Sequence, residues 1–235
     1  MTRRPERWPV PDGAREIERC DWPREAAFRL YQSYDCPYFA MTANVDVTEL
    51  RRCLKSRQIS FTVGLAYVLA RAANGVPEMR QRIRGARIIE HAIVHPSITV
   101  LRADQTFSFC ELPFQADFLL FRTQAESAMD YVKRHDAPCL EDRPERDDYL
   151  FLTGIPWVSF TAFQHPVSCS GDDAVPRIAW GKFFEQGGRL LLPVNIQVHH
   201  GLADGVHVGG FYEALEMLIA DPEAWVDGSE AQLES

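Results

Sequence analysis

Residues 60–75, SFTVGLAYVLARAANG, are apolar around most of a helical circumference. A helix with so little polar face is covered on most of its sides, so this segment predicts a buried helix. Gly75 and Pro77 end it. Two amphipathic stretches precede it. Arg24–Ser33 carries Ala27, Phe28, Leu30 and Tyr31 along one face, and Val47–Gln58 follows an Asp-Val-Thr start signal. The period then changes. Ala86–Glu90, Ser97–Ala103 and Thr106–Leu112 read as strands, with Asp104-Gln105 as a hairpin tip. Phe114–Arg134 returns to helical spacing through Phe118, Phe121 and Ala125. The charged, Pro-interrupted stretch His135–Asp148 reads as a loop. Strands are expected over Tyr149–Phe163, Arg177–Phe184 and Arg189–His199. A last helix starts at Gly205, with Phe211, Leu215, Leu218 and Ile219 on its apolar side.

Strands and helices mix here without a regular βαβ alternation. The expected fold is α+β: a two-layer sandwich with a mixed β-sheet and helices on one face. The chain has 235 residues, which suits a single domain over residues 16–222, an N-terminal arm over 1–15 and a C-terminal tail over 223–235.

Composition removes several functions. With 25 Lys+Arg against 33 Asp+Glu the net charge is −8, which opposes nucleic-acid binding. No apolar run approaches the roughly 18 residues of a membrane span, and the polar, Pro-broken start lacks the apolar core of a signal peptide. A cytoplasmic protein is expected. The cysteines at 20, 36, 53, 110, 139 and 169 form no Cys-x-x-Cys pair, so free thiols are expected rather than a zinc site or a disulfide frame. No Gly-rich phosphate loop or dinucleotide fingerprint is present, which disfavours nucleotide hydrolysis and hydride transfer.

The chemistry concentrates in Pro193–Gly210, PVNIQVHHGLADGVHVGG. Strand alternation puts Val194, Ile196 and Val198 on one face, continued by His200 at the strand's end. Asn195, Gln197 and His199 lie opposite, so His199 is expected to point outward or into an interface. His200 thereby emerges from an apolar layer, where a neutral imidazole can serve as a general base. Asp204 lies four residues on, placed to orient the turn or pair with a cation without touching the imidazole. Two other readings stand beside this one: simple packing at a strand end, and a metal site from His200, Asp204 and His207. The metal reading lacks a helical His-x-x-x-His pair or an acidic partner motif, and no metal is expected. His91 and His95 have helical ligand spacing but sit among β-branched residues, and read as sheet packing or a turn contact.

Gln197-Val198-His199-His200-x-x-x-Asp204-Gly205-Val206-His207-Val208 closely resembles the active-site signature of the chloramphenicol acetyltransferases. The likeness extends in order through Trp22-x-Arg24-x-x-x-Phe28, Val45-Asp46-Val47-Thr48 and Pro77-Glu78-Met79-Arg80. It continues through Val94-His95-Pro96, Thr106-Phe107-Ser108, Pro156-Trp157-Val158-Ser159-Phe160-Thr161 and Gly181-Lys182-Phe183. It spans residues 16–220, nearly the whole chain.

The resemblance implies an acetyl-CoA-dependent O-acetyltransferase acting on chloramphenicol or a similar hydrophobic alcohol, as in antibiotic resistance. It implies a homotrimer with active sites between subunits, where both substrates are held together and no acyl-enzyme forms. His200 would be the general base. Asp204 and Arg24 would form an ion pair holding the turn. Thr153 stands where the family has the serine that donates to the oxyanion; its hydroxyl is kept, but the added methyl stiffens the side chain and takes space. Ala179 stands where the family usually has a threonine that helps hold a water, so the acceptor is open to change. Tyr31, Phe107 and Phe163 would line the acceptor pocket, with Cys36 less closely aligned. Trp157, Lys182 and Phe183 would lie on the coenzyme side.

Three alternatives remain: the same chemistry on another acceptor, a dihydrolipoamide-acyltransferase-like catalytic core, and a trimeric binding protein without turnover. The second lacks a lipoyl-type domain and an Ala/Pro linker. Peptide-forming condensation domains share the histidine element but need about twice the length.

Overall fold

The computed structural model describes residues 10–134, 146–168 and 172–228. Its elements begin with β1 (Arg15–Glu16), α1 (Glu25–Gln32), β2 (Tyr38–Asp46), α2 (Thr48–Ser56) and α3 (Phe61–Asn74). There follow β3 (Gln81–Arg84), β4 (Arg87–Glu90), β5 (His95–Leu101), β6 (Phe107–Glu111) and α4 (Phe118–Arg134). The chain closes with β7 (Tyr149–Gly154), β8 (Arg177–Trp180), β9 (Phe184–Gln186), β10 (Arg189–His199), α5 (Gly205–Ala220) and α6 (Glu223–Val226).

The main sheet runs β2-β10-β8-β7-β5-β6, with β9 also pairing β10. β5, β7 and β8 are parallel neighbours, and the other pairs are antiparallel. This is the expected mixed sheet. A second, three-stranded sheet, β1-β4-β3, was not anticipated.

The all-apolar segment is the central helix. Ten residues of α3 are buried, and it packs against α2, α4 and α5. Gly64 makes the α2 contact possible, because a Cβ there would lie 2.4 Å from a methyl of Leu54. Alternate strand residues Ile98, Leu150, Leu152, Ile178, Val194, Ile196 and Val198 join these helices in one core. The opposite alternates, among them Thr153, Ala179, Asn195 and Gln197, form a second face that the helices do not cover.

The start signals work as read. Asp46 Oδ1 accepts from the backbone N–H of Thr48 at 3.0 Å and from its hydroxyl at 2.6 Å, opening α2. At the hairpin tip Gln105 has φ 65°, held as Asp104 Oδ1 accepts from Thr106 N–H and hydroxyl.

Several boundaries differ from the sequence expectation. The strand expected over Tyr149–Phe163 ends at Gly154, since Pro156 has no N–H and the chain turns there, Val158 N–H donating to the carbonyl of Ile155 at 3.4 Å. The run Arg177–Phe184 breaks at Gly181, whose N–H donates to the carbonyl of Pro193 at 3.0 Å; a Cβ there would lie 2.6 Å from the carbonyl oxygen of Val158. The helix expected from Phe114 begins at Phe118, where Asp117 Oδ1 accepts the N–H of Leu120 at 2.9 Å. Residue 15 of the expected arm is already paired in β1, while residues 1–9 lie outside the described residues. The tail expected from residue 223 opens with α6, whose Trp225 and Val226 are in the core. Residues 229–235 lie outside the described residues, as do residues 135–145 of the expected loop.

Of the cysteines, 20 and 36 are exposed free thiols and 53 and 110 are buried ones; 139 and 169 fall outside the described residues. No helix among the described residues is long and apolar enough to cross a membrane.

Candidate active site

β10 delivers His200 to the end of the sheet. Its backbone N–H donates to the carbonyl of Pro37 at 2.7 Å, and its carbonyl accepts from Arg24 Nη2 at 2.9 Å. The backbone is thus held from both sides before the chain turns into α5. The imidazole stacks on Tyr31, with centroids 4.1 Å apart and planes 14° apart, and Phe39 lies tilted against it at 4.6 Å. The His200 side chain keeps 30% of its surface exposed.

Arg24 also reaches Asp204, Nη1 to Oδ2 at 2.5 Å. That guanidinium, chiefly through its hydrogen bond, holds the Asp204 carboxyl below its ordinary value near 3.8. The other oxygen, Oδ1, lies 3.1 Å from His200 Nδ1, nearer than the sequence reading allowed but off the line of a hydrogen bond. Asp204 N–H donates to His207 Nδ1 at 2.8 Å, which ties the first turn of α5 to the same loop.

His199 corrects the expectation of an outward side chain. It is 3% exposed, set edge-on to Tyr38, and its Nδ1 accepts the N–H of Gly201 at 3.1 Å. Burial pushes its pKa down to about 4. The strand alternation was read correctly; on the face opposite the helices, residues 163–165, which have no regular secondary structure, cover Asn195 and Gln197 of β10.

That covering segment brings in Phe163. Its carbonyl accepts from Asn195 Nδ2 at 3.0 Å, and its ring meets Phe160 and His165. A recess of about 440 Å³ lies between Phe163 and edge strand β2, lined also by Tyr38, Phe39, Ala40 and Gln197. Phe39 therefore touches both this recess and His200.

Thr153 is elsewhere. It pairs with Ala179 across β7–β8, and Ala179 pairs with Asn195 across β8–β10, so the three share one row on the face away from the helices. His200 follows the end of β10, five residues beyond Asn195, which at strand spacing separates Thr153 from His200 by roughly 15 Å or more. Within one chain the base and the expected oxyanion donor do not meet. Phe107 sits half-exposed on edge strand β6, linked through Phe109 to Phe151 beside Thr153.

Trp157, Lys182 and Phe183 do come together. Lys182 N–H donates to the carbonyl of Val158 at 2.8 Å, and Ser159 Oγ donates to the carbonyl of Lys182 at 2.5 Å. Trp157, Val158 and Phe183 are exposed, with Phe61 against Phe183 and Arg51 over both those rings. Sequence reading missed Phe39, Pro37 and Asn195. Phe39 could have been found from the alternation Phe39, Met41, Ala43, Val45 of β2.

The histidine pair at 91 and 95 is structural. His91 Nε2 lies 2.8 Å from Asp147 Oδ1, which Arg84 also binds, and His95 Nδ1 accepts from Phe114 N–H at 2.9 Å. Among the described residues no group of three or more His, Cys, Asp or Glu is arranged to hold a metal.

Comparison with known proteins places this chain, a mixed sheet backed by helices with a histidine at the end of its long strand and an Arg–Asp pair under the turn, among the acyltransferases. The sequence model described as chloramphenicol acetyltransferase matches residues 14–216, and the chain belongs to that family. It is 30% identical over 208 residues to the chloramphenicol acetyltransferase of Bacillus pumilus, covering 88% of this chain and 94% of the relative. It is 31% identical over 199 residues to chloramphenicol acetyltransferase 3 of Escherichia coli, covering 84% and 93%. A solved chloramphenicol acetyltransferase superposes with a TM-score of 0.81 at 25% identity, over 88% of this chain and 99% of that one. The cubic core of the pyruvate dehydrogenase multienzyme complex shares the fold, with a TM-score of 0.65 at 17% identity over 86% of this chain and 88% of that one.

Proposed function

We propose that the protein transfers an acetyl group from acetyl-CoA to a hydroxyl of chloramphenicol, with His200 as general base in a ternary complex. The observation that carries this is the fixed imidazole: its backbone is tied to Pro37 and Arg24, its ring stacks on Tyr31, and Asp204 lies beside Nδ1. Nε2 takes the hydroxyl proton as the alcohol oxygen attacks the thioester carbonyl. The oxyanion of the tetrahedral intermediate accepts from the Thr153 hydroxyl. Collapse breaks the carbon–sulfur bond, and the proton held by His200 goes to the departing thiolate. A positioned base of this kind supplies about 10²–10⁴-fold, and holding both substrates together removes the entropy of encounter.

The separation of His200 from Thr153 supports an active site built between copies, in a homotrimer. One chain brings the base to a neighbour's Thr153, with Tyr31, Phe107 and Phe163 lining the acceptor pocket from the two sides. The exposed group of Trp157, Phe183 and Lys182, with Arg51 nearby, suits a coenzyme: aromatic surface for its apolar parts and two cations for its phosphates. A different alcohol as acceptor is the second reading, favoured by the buried methyl of Ala179 beside Thr153.

The test is release of coenzyme thiol from acetyl-CoA with chloramphenicol, comparing the native protein with His200→Ala. Release that disappears in the variant supports the reading. A folded native protein that releases no thiol above background with chloramphenicol rejects that acceptor.

A further inference from the structure

We infer that Asn195 and Gln197 form an amide clamp that sets the acceptor pocket by holding Phe163, which makes them positioning residues for acceptor specificity. This rests on the reading of Phe163 as an acceptor-pocket residue. Residues 163–165 lie across the helix-free face of the sheet without being a strand, so their backbone polar groups have no ladder to pair with. Two side chains of β10 replace that ladder. Asn195 Nδ2 donates to the carbonyl of Phe163 at 3.0 Å. Gln197 Oε1 accepts the N–H of His165 at 2.8 Å, and Gln197 Nε2 donates to the carbonyl of His165 at 3.4 Å. The two residues stand two apart on β10, so their side chains leave the same face at the pleat's spacing.

The Asn195 amide can point only one way. Its Nδ2 also meets the carbonyl of Met41 at 3.3 Å and the Thr42 hydroxyl at 2.9 Å. A flipped amide would set oxygen against two carbonyls, which accept but cannot donate. Asn195 and Gln197 are 1% and 2% exposed, so water does not compete for these bonds. One amide therefore ties edge strand β2 to the segment carrying Phe163, and Phe163 and Gln197 both line the recess beside Tyr38 and Phe39. The neighbour of Asn195 on β8 is Ala179, whose methyl offers no hydroxyl to share the work. Neither amide bonds a side chain of His200, Thr153 or the coenzyme side, so the clamp acts through Phe163.

The readout is a split in kinetic constants. For Asn195→Ala and Gln197→Ala, KM for chloramphenicol should rise about tenfold, the loss of one or two buried hydrogen bonds. The kcat should stay within about twofold and KM for acetyl-CoA should not change. Asn195→Ser, whose hydroxyl keeps a donor, should recover part of the loss. A folded variant whose kcat falls while both KM values hold, or whose constants do not move, overturns the clamp. Hydrogen exchange on the native protein without substrate gives an independent measure. The His165 amide should be protected well beyond an exposed loop, and exchange at loop rates overturns the clamp whether or not the variants fold. If the native protein does not acetylate chloramphenicol, the proposed acceptor fails, and protection at His165 still decides the clamp.

Discussion

Arg24 and Asp204, 180 positions apart in the chain, meet at 2.5 Å beneath the turn that follows His200, and the same guanidinium holds the carbonyl of His200. The pair therefore holds the backbone that carries the imidazole. In the proposed mechanism its part is to hold an angle, and no proton passes through it.

Asp204→Asn should therefore lower kcat through misplacement of His200 and also destabilise the fold at neutral pH. Arg24 depresses the Asp204 carboxyl in the folded state, so the contribution is full above the unfolded value near 3.8 and is lost as pH falls through the lower folded value. Melting temperatures of native protein and Asp204→Asn should differ at pH 7 and converge in strong acid. A constant gap across that range would show that the loss is not ionic.

Thr153→Ala should reduce kcat by about 10²–10³-fold, the effect of removing one oxyanion donor. Thr153→Ser keeps the donor and sheds the methyl, so steady-state kinetics should show activity at or above native. Equal losses in both variants would mean that the methyl, not the hydroxyl, is what the site uses.

Mixing two inactive proteins should restore activity. His200→Ala and Thr153→Ala chains, dissociated and reassembled together, would place an intact His200 against an intact Thr153 at about a quarter of the interfaces. Thiol release from the mixture well above that of either parent alone is the expected result. A mixture as inactive as its parents would put both residues in a site within one chain.

Two buried histidines should make the fold acid-sensitive. Burial, helped by the Arg177 charge at His165 and partly offset by Asp173 at His199, holds both histidines down to about 4 from 6.5. The unfolded chain binds these protons first, so stability is full above about pH 6.5 and falls as pH drops towards 4. Denaturant midpoints should decline over that window, and His199→Gln should flatten the decline.

The parts of this fold legible from the sequence are those whose signal is local. The apolar girth of α3, the Asp46-Val47-Thr48 start and the eleven residues of β10 all stand in the chain itself. β3 was not legible. Arg82 and Arg84 make it read as exposed, yet both are buried because Asp147, 65 and 63 positions on, takes Arg82 with its backbone carbonyl and Arg84 with its carboxylate. His199 failed for a similar reason: nothing near it shows that distant residues cover its face. His200 and Asp204 stood out from strand alternation and spacing, while Arg24 was singled out only through the resemblance; its contact with Asp204 spans 180 positions and leaves no local signal. Asn195 was placed on the correct face but given no role, since its meaning lies in the Phe163 carbonyl that it binds, 32 positions earlier.

The row Thr153, Ala179, Asn195 exists because three strands, one pair parallel and one antiparallel, align to the residue. A slip of a single position in β7 would turn Thr153 in among the helices and bring Leu152 out. Such a chain could be compact, rich in strand and spectroscopically ordinary, yet chemically inert. Parallel pairing between distant segments is slow to form, so recovered specific activity, rather than recovered circular dichroism, is the proper gauge of whether this protein has refolded.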